Sequence, residues 1–467
     1  MTHLRQSDTD ACPGALRLHT AADGLLARVR LPGGLLSGAQ LRSLRELAEA
    51  FGDGRLELTS RANLQLRGLR QDRAETLASR LRAAGLLPSH THDSVRNIAA
   101  PPLADARLRR WVGELDAAIC ADPELAALPG KFLFGIGQVP LAADVAAVPV
   151  ALSGEFALRF GGHDTGLRVA AERVVEALVT AGHAFLAERS AQREPAPQPS
   201  AQPEPSPQRA PSAQREPAAQ PEPSAQRGGS AWRLRELADG PARVSARVAA
   251  ALGVTPVGVP AVAAVEVVEP GALVGVVTGN GHFAAGALVP LGRLEGVQAK
   301  VLEDAERLVV TPWRGVLVPD LAEGAAAAWT DRMAAAGLVV TATSRWSGVT
   351  ACAGRPGCAK SLADVRADAD RATRFGDGLP VHWVGCDRAC GSPSGPHVRV
   401  EATAPGQEAA SDAGQDMASD AGAGRGAANG AGYVVTRRAA DGAVVGNGVL
   451  SGTDHALEEL VAGARRA

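Results

Sequence analysis

Lysine is nearly missing from this chain, and cysteine is rare. Only Lys131, Lys300 and Lys360 occur, so arginine carries almost all the positive charge. A guanidinium and an ammonium are chemically unequal, which makes each of these lysines a position to follow. Net charge is lacking too: the formal value is −2, which argues against a general nucleic-acid binder. No uninterrupted apolar run is long enough to cross a bilayer. The opening stretch MTHLRQSDTDACPGALRL has no charged start, apolar stretch or cleavage site, so it does not read as a signal peptide. A cytoplasmic location is therefore expected. In that reducing compartment the six cysteines are more suited to metal binding or redox work than to disulfides.

What is present points to a folded chain of several domains. Its 467 residues are 46% apolar, enough for two or more sizeable cores. Two segments are expected to stay outside any core. Residues 190–230 are a near-repeat of Pro, Ala, Gln and Glu, read as a semi-extended, solvated spacer. Residues 403–432, rich in Gly, Ala and Asp, read as a flexible insert.

The parts on either side of the spacer repeat each other. LELTSRANLQLRGL (56–69) aligns with LVVTPWRGVLVPDL (308–321), which sets Thr59 on Thr311. At the same offset of 252, LRAAGLL (81–87) falls on MAAAGLV (333–339); upstream, GGLLSGAQLRSLRELA (33–48) loosely echoes GALVPLGRLEGVQAKV (286–301). Each copy reads strand, helix, strand, helix. In the first, Ser37 and Gln40 suit a capping box, Leu41, Leu44 and Leu47 line one face, and Gly52 ends the helix. The expected fold is an α+β pseudo-dimer.

Between residues 56 and 67 the first copy alternates without a slip. Read as one extended strand, it puts Glu57, Thr59, Arg61, Asn63, Gln65 and Arg67 on a wholly polar face. That face either meets water or lines a pocket for an acidic ligand, since guanidinium groups hold carboxylates in bidentate pairs. The second copy carries Val309, Thr311, Trp313, Gly315 and Leu317 at the matching positions. If the polar face binds, one half alone has kept it, and one ligand per chain follows.

Four of the six cysteines lie in two loop-like stretches, CAGRPGC (352–358) and GCDRACGSP (385–393). Cys352, Cys358, Cys386 and Cys390 suit an iron–sulfur cluster or a structural zinc, with a pair of disulfides as the third possibility. C-x5-C is wide for zinc and better suited to a four-iron cube. The glycines at 354, 357, 385 and 391 would let amides approach the sulfurs.

C-x5-C followed by C-x3-C, downstream of a T-x-R-x-x-x-Q strand in a duplicated scaffold, resembles the nitrite and sulfite reductase haemoprotein family. The resemblance implies a duplicated scaffold of ferredoxin-like β/α units with cluster-binding loops. It implies a 4Fe–4S cluster on the four cysteines, with Cys390 nearest a bound tetrapyrrole. The division it implies runs as a ferredoxin-like repeat at 12–100 and an α/β half at 101–189. After the 190–230 spacer come a second repeat at 231–345, a cluster-binding region at 346–402, the 403–432 insert, and a strand and helix at 433–467. The family's anion site uses two arginines and two lysines. Arg61 in TSRANLQ, Arg96 in DSVRNI and Lys131 in LPGKFLFGIG match three of these, and the second lysine falls on Leu133.

CPGALRLHTAADGLLARVRLPGG, LTSRANLQLRGL and CAGRPGCAKSLADVRADA are similar to one subgroup, the precorrin-3B synthases of aerobic cobalamin biosynthesis. That similarity implies a monooxygenase that uses molecular oxygen to hydroxylate precorrin-3A and form a lactone. Electrons would come from an external NADH-linked reductase or ferredoxin, and neither nucleic acid nor membrane is expected as a partner. Arg61, Asn63, Gln65, Arg67, Arg96 and Lys131 would bind the substrate, with Arg61, Arg96 and Lys131 acting catalytically. A mononuclear non-haem iron is also implied. His92 is the first candidate ligand, followed by His90, Asp93, His382 and His397, with Cys12 also possible; Cys120 reads as core. The alternative within the family is an assimilatory sulfite or nitrite reductase holding sirohaem beside the cluster.

Overall fold

The structure, a computed structural model, describes residues 12–151, 153–192, 231–258, 270–279, 281–393, 395–404, 432–440, 442–450 and 454–466. Most of the expected spacer at 190–230 and of the insert at 403–432 lies outside the described residues.

The first half opens with β1 (His19–Ala21), β2 (Gly24–Val29), β3 (Leu35–Leu36), α1 (Gly38–Phe51), β4 (Leu56–Leu58), β5 (Leu64–Leu69) and α2 (Ala74–Ala83). Helix α1 starts where the sequence expects it. Ser37 Oγ accepts from the Gln40 amide, and the Gln40 side chain accepts from the Ser37 amide, satisfying two otherwise orphaned donors. Leu41, Leu44 and Leu47 are buried along one face. Gly52 follows the helix in extended rather than left-handed backbone, and a Cβ there would run into the Arg67 carbonyl.

An α/β layer follows: β6 (Ile98–Ala99), α3 (Ala106–Ala121), β7 (Phe134–Ile136), β8 (Val145–Pro149), β9 (Phe156–Phe160), β10 (His163–Val169) and α4 (Val174–Ala191). Its sheet runs β10-β9-β8-β7-β6, parallel among β6, β7 and β8 and antiparallel beyond. Helix α5 (Gly240–Leu252) also belongs here. Val244, Val248 and Leu252, spaced one turn apart, bury in the same core as Phe185 of α4 and Leu167 of β10. This corrects the expected boundary at 231: residues 231–252 complete the first half.

The second half repeats the plan with β11 (Gly275–Gly279), β12 (His282–Leu288), β13 (Arg293–Leu294), α6 (Gly296–Leu302), β14 (Leu308–Val310), β15 (Gly315–Leu321) and α7 (Glu323–Ala335). Then come β16 (Val349–Ala351), α8 (Val365–Ala372), β17 (Val381–Val384), β18 (His397–Thr403), β19 (Gly432–Arg438), β20 (Val444–Leu450) and α9 (Asp454–Arg466). The sheet β16-β17-β18-β19-β20 is parallel in its first three strands and antiparallel in its last two, as in the first half. The tail beyond 432 thus supplies two strands and a helix, where one strand and a helix are expected, and it completes the sheet that carries the cysteine loops.

The two ferredoxin-like sheets exchange edges. One runs β1-β2-β5-β4-β13 and the other β11-β12-β15-β14-β3. Arg293 and Leu294 pair with Glu57 and Leu56, while Leu35 and Leu36 pair with Val309 and Leu308. Gly34 and Gly292, at φ 72 and 70, make the matching turns ahead of each exchanged strand. One core built from α1, α2, β4, β5, α6, β14 and β15 spans both copies, so the halves are a pseudo-dimer packed as a single body.

Candidate functional site

The repeated TSRAN and TPWRG segments form hairpin tips. At the first, the Thr59 amide donates to the Asn63 carbonyl at 2.9 Å, and Thr59 Oγ1 accepts from the amides of Arg61 and Asn63 at 3.3 and 3.1 Å. Ala62 is left-handed at φ 56. At the second, the Thr311 amide donates to the Gly315 carbonyl at 2.9 Å and Thr311 Oγ1 accepts from the Gly315 amide at 3.0 Å, with Arg314 at φ 61. The unbroken alternation of 56–67 is therefore not one strand. It turns back on itself at Thr59, and Glu57 pairs with Gln65 across the hairpin.

Both tips point into one cavity of about 710 Å³ between the halves. Ser60 and Arg61 line it from the first tip, and Trp313 and Arg314 from the second. Arg233 and Arg235 contribute from the segment ahead of α5, and Gly391, Ser392 and Pro393 from the loop that follows Cys390. Among the described residues, four arginines face the cavity and no carboxylate does. Such a lining, in a volume typical of organic ligands, suits an acidic molecule of substantial size.

The arginines are set by buried acceptors. Arg61 and Arg233 both donate to the Lys131 carbonyl, at 3.1 and 2.6 Å. Arg233 also lies 3.3 Å from Asp144, whose two oxygens accept from the amides of Leu133 and Leu234. Burial lowers Arg233 to about 10, against the opposing pull of Asp144. Arg314 is likewise lowered to about 10, by burial first and then by Arg366. Both stay charged at neutral pH. Asp144 is itself pushed up by burial, with Arg233 and the two amides opposing the shift.

The cysteine loops meet at one end of the second α/β sheet. The Cys352 amide donates to the Trp383 carbonyl at 2.9 Å and the Leu362 amide to the Gly385 carbonyl at 2.8 Å, joining the two loops. The Gly385 amide donates to Cys352 Sγ at 3.4 Å, and a Cβ on Gly385 would run into Ser361. Burial raises the Cys352 thiol, and so does Cys390 facing it, while the amides of Gly385 and Gly354 lower it. Cys352, Cys358, Cys386 and Cys390 are free thiols. Convergent loops, amides aimed at sulfur and a glycine where no side chain fits are the features an iron–sulfur cluster needs. The surroundings of the Cys352 sulfur suit that group.

The other expected site residues fare differently. Arg96 does not reach the cavity: it is buried in a bidentate pair with Asp116, at 2.6 and 2.7 Å, and donates to the Leu86 carbonyl. Asn63 accepts from the Leu31 amide, and Gln65 accepts from Arg28 and donates to Glu57. Arg67 is bound to Asp23 and to the Gly357 carbonyl. None of these four lines the cavity. The Lys131 ammonium lies 5.0 Å from the centre of the Trp232 ring, so this lysine acts on the cavity through its carbonyl. Leu133 does line the cavity.

Nor are the candidate ligands of the second iron brought together among the described residues. His92 Nδ1 is hydrogen-bonded to Ser89 and Thr91, and Nε2 to the Asp122 carbonyl. Asp93 accepts from the amides of Ala15 and Leu16. His382 is buried, with Nδ1 on Thr350 and Nε2 on the Cys390 carbonyl, and burial lowers it to about 3. His397 Nδ1 bonds to the Gly395 carbonyl. Among the described residues no group of three or more His, Cys, Asp or Glu gathers at the spacing of a single metal ion.

Arg233, Arg235 and Arg314 are the residues the sequence reading lacks. Strict alternation assigns Arg314 to the apolar face, so it escapes notice; aligned with Ala62 at the tip of the repeat, it stands out. Both copies place an arginine in the cavity, which corrects the expectation that one half alone binds.

Residues 19–84 match the nitrite/sulfite reductase ferredoxin-like half domain. Among proteins of known activity, the chain is 41% identical over 81 residues to the ferredoxin–nitrite reductase of Leptolyngbya laminosa, covering 17% of this chain and 16% of that one. It is 34% identical over 131 residues to a precorrin-3B synthase of Sinorhizobium sp, covering 28% and 26%. These alignments span about a quarter or less of the relatives' length. Among solved structures, the Mycobacterium tuberculosis NirA protein superposes with a TM-score of 0.64 at 18% identity, covering 93% of this chain and 79% of that one. The fold is thus that of NirA, built on ferredoxin-like half domains. No helix among the described residues is long and apolar enough to cross a membrane.

Proposed function

We propose that the chain is a precorrin-3B synthase, an oxidoreductase that hydroxylates precorrin-3A with molecular oxygen and closes a lactone on it. One oxygen atom enters the macrocycle and the other leaves as water, with two electrons and two protons drawn from an external donor and solvent. The observation that carries this reading is the arginine-lined cavity of about 710 Å³ beside the Cys390 loop. Its size suits a polycarboxylated tetrapyrrole, bound as substrate here or as sirohaem in the alternative. At the place where the family resemblance expects a second lysine it presents Leu133, which suits the face of a macrocycle better than a small anion. Trp313 and Trp346 add flat apolar wall.

In this reading Arg61 and Arg314 hold carboxylates of the macrocycle from opposite hairpin tips. Arg233, fixed by Asp144, holds a third. A 4Fe–4S cluster on Cys352, Cys358, Cys386 and Cys390 supplies single electrons when bound.

The second reading, a sirohaem-containing nitrite reductase, is favoured by the match to ferredoxin–nitrite reductases. Anaerobic purification with iron and sulfide counts, then turnover of precorrin-3A under oxygen with mass detection, separates the two. A product one oxygen atom heavier supports the synthase. Tightly bound sirohaem bands with nitrite consumption would reject it.

A further inference from the structure

The polar residues on the body of the β4–β5 hairpin, away from the cavity, converge on the first cysteine loop. Glu57 lies at their centre, 5% exposed. Its carboxylate accepts from Arg366 and from Gln65 Nε2 and lies 3.9 Å from Arg67. Each arginine continues to a backbone carbonyl of the loop: Arg366 Nε to Cys352 at 3.1 Å, and Arg67 to Gly357 at 2.6 Å. Asp23 secures the other side of Arg67 with two bonds of 2.9 Å. Two guanidinium groups thus grip the loop near both ends, and one buried carboxylate orients both. Burial alone would raise the Glu57 carboxyl, but Arg366 and then Arg67 more than reverse this and hold it below the usual range.

We infer that Glu57, Arg67 and Arg366 form a positioning clamp that fixes the Cys352–Cys358 loop and sets the charge beside the group its thiolates hold. The first half of this inference is independent of the proposed function; the second rests on the four cysteines holding a cluster. Glu57→Gln keeps the shape but takes the carboxylate from Arg366 and leaves Arg67 with Asp23 alone, and uncompensated buried charge is costly. Extra positive charge beside Cys352 also favours the more negative, reduced state of a cluster, so its potential should rise.

The test compares the full-length protein with Glu57→Gln and with Asp116→Asn, a control that breaks a buried ion pair elsewhere. In hydrogen exchange, residues 352–363 of Glu57→Gln should exchange about tenfold faster or more, as expected for one lost charge-assisted bond. Residues 134–169 should be unchanged, and Asp116→Asn should leave 352–363 protected. In iron-loaded protein the midpoint potential of the brown chromophore should shift upward in Glu57→Gln and stay put in Asp116→Asn. Unchanged exchange at 352–363, or equal acceleration throughout the chain, would overturn the clamp. Accelerated exchange with an unmoved potential would overturn its electrostatic half. A wild-type chain that takes up neither iron nor sulfide would sink the cluster reading, and exchange alone would then decide the clamp.

Discussion

Replacing Arg314 with alanine isolates the contribution of one cavity cation. Left-handed backbone usually penalises a side chain, and Arg314 sits at φ 61. Its counterpart Ala62 already occupies the same conformation at φ 56, so alanine is compatible with this turn. The Thr311–Gly315 bonds that shape the tip do not use the arginine side chain. The change therefore removes charge while keeping the frame. A hydrogen bond to a charged group contributes about 1.5–3 kcal/mol, which is about a 10- to 150-fold loss in affinity for a carboxylate ligand. The assay is titration with a polycarboxylated tetrapyrrole, followed by absorbance, at two salt concentrations. Arg314→Ala should weaken binding by that factor and reduce its salt dependence. A dissociation constant within about twofold of wild type, in a variant that melts normally, would show that the cavity arginines do not hold carboxylates.

Arg96→Ala should behave in the opposite way. Breaking its buried pair with Asp116 costs about 3–5 kcal/mol, seen as a lower melting temperature, while folded protein keeps its tetrapyrrole affinity. Cys390→Ser should reduce iron and sulfide content in anaerobically purified protein; full content would count against the four-cysteine site. Glu188, buried and bonded to Arg243 and Arg247, links α4 to α5. Burial would raise its carboxyl, but the two arginines hold it below the ordinary 4.5. Its stabilisation is therefore complete above about that pH and lost as pH falls through the lower folded value. The stability difference between wild type and Glu188→Gln should be constant near neutrality and shrink on acidification, as read by denaturant unfolding at a series of pH values.

The features legible in the sequence are local ones. The capping box at Ser37, the leucine stripe of α1 and the echo between the two hairpins are written within a few residues of each other, and the fold follows them. Where the reading failed, the deciding partner lay far away or the pattern misled. Arg67 bonds to Gly357, 290 residues downstream, and Arg366 to Glu57 across 309. Nothing near Arg96 announces that Asp116 will take it. In 56–67 the letters go on alternating straight through a reversal of the chain, because Thr59 and Asn63 fit a turn as well as a strand. The Thr59 hydroxyl accepting two amides, the left-handed Ala62 and the Glu57–Gln65 pairing reveal the fold-back. The boundary at 231 is not legible because the apolar stripe of α5 states that it needs a partner without stating which one.

The traded strands β3 and β13 also restrict how such a molecule can be divided. Cut in the spacer, each portion would retain most of its own sheet but expose a bare rim at β4 or β14, ready to recruit whatever strand comes near. Separately expressed halves should therefore either find one another in the test tube or clump with their own kind. Duplication has left two lobes free to diverge at their tips, with Arg61 and Ala62 on one and Trp313 and Arg314 on the other, while neither can leave the partnership.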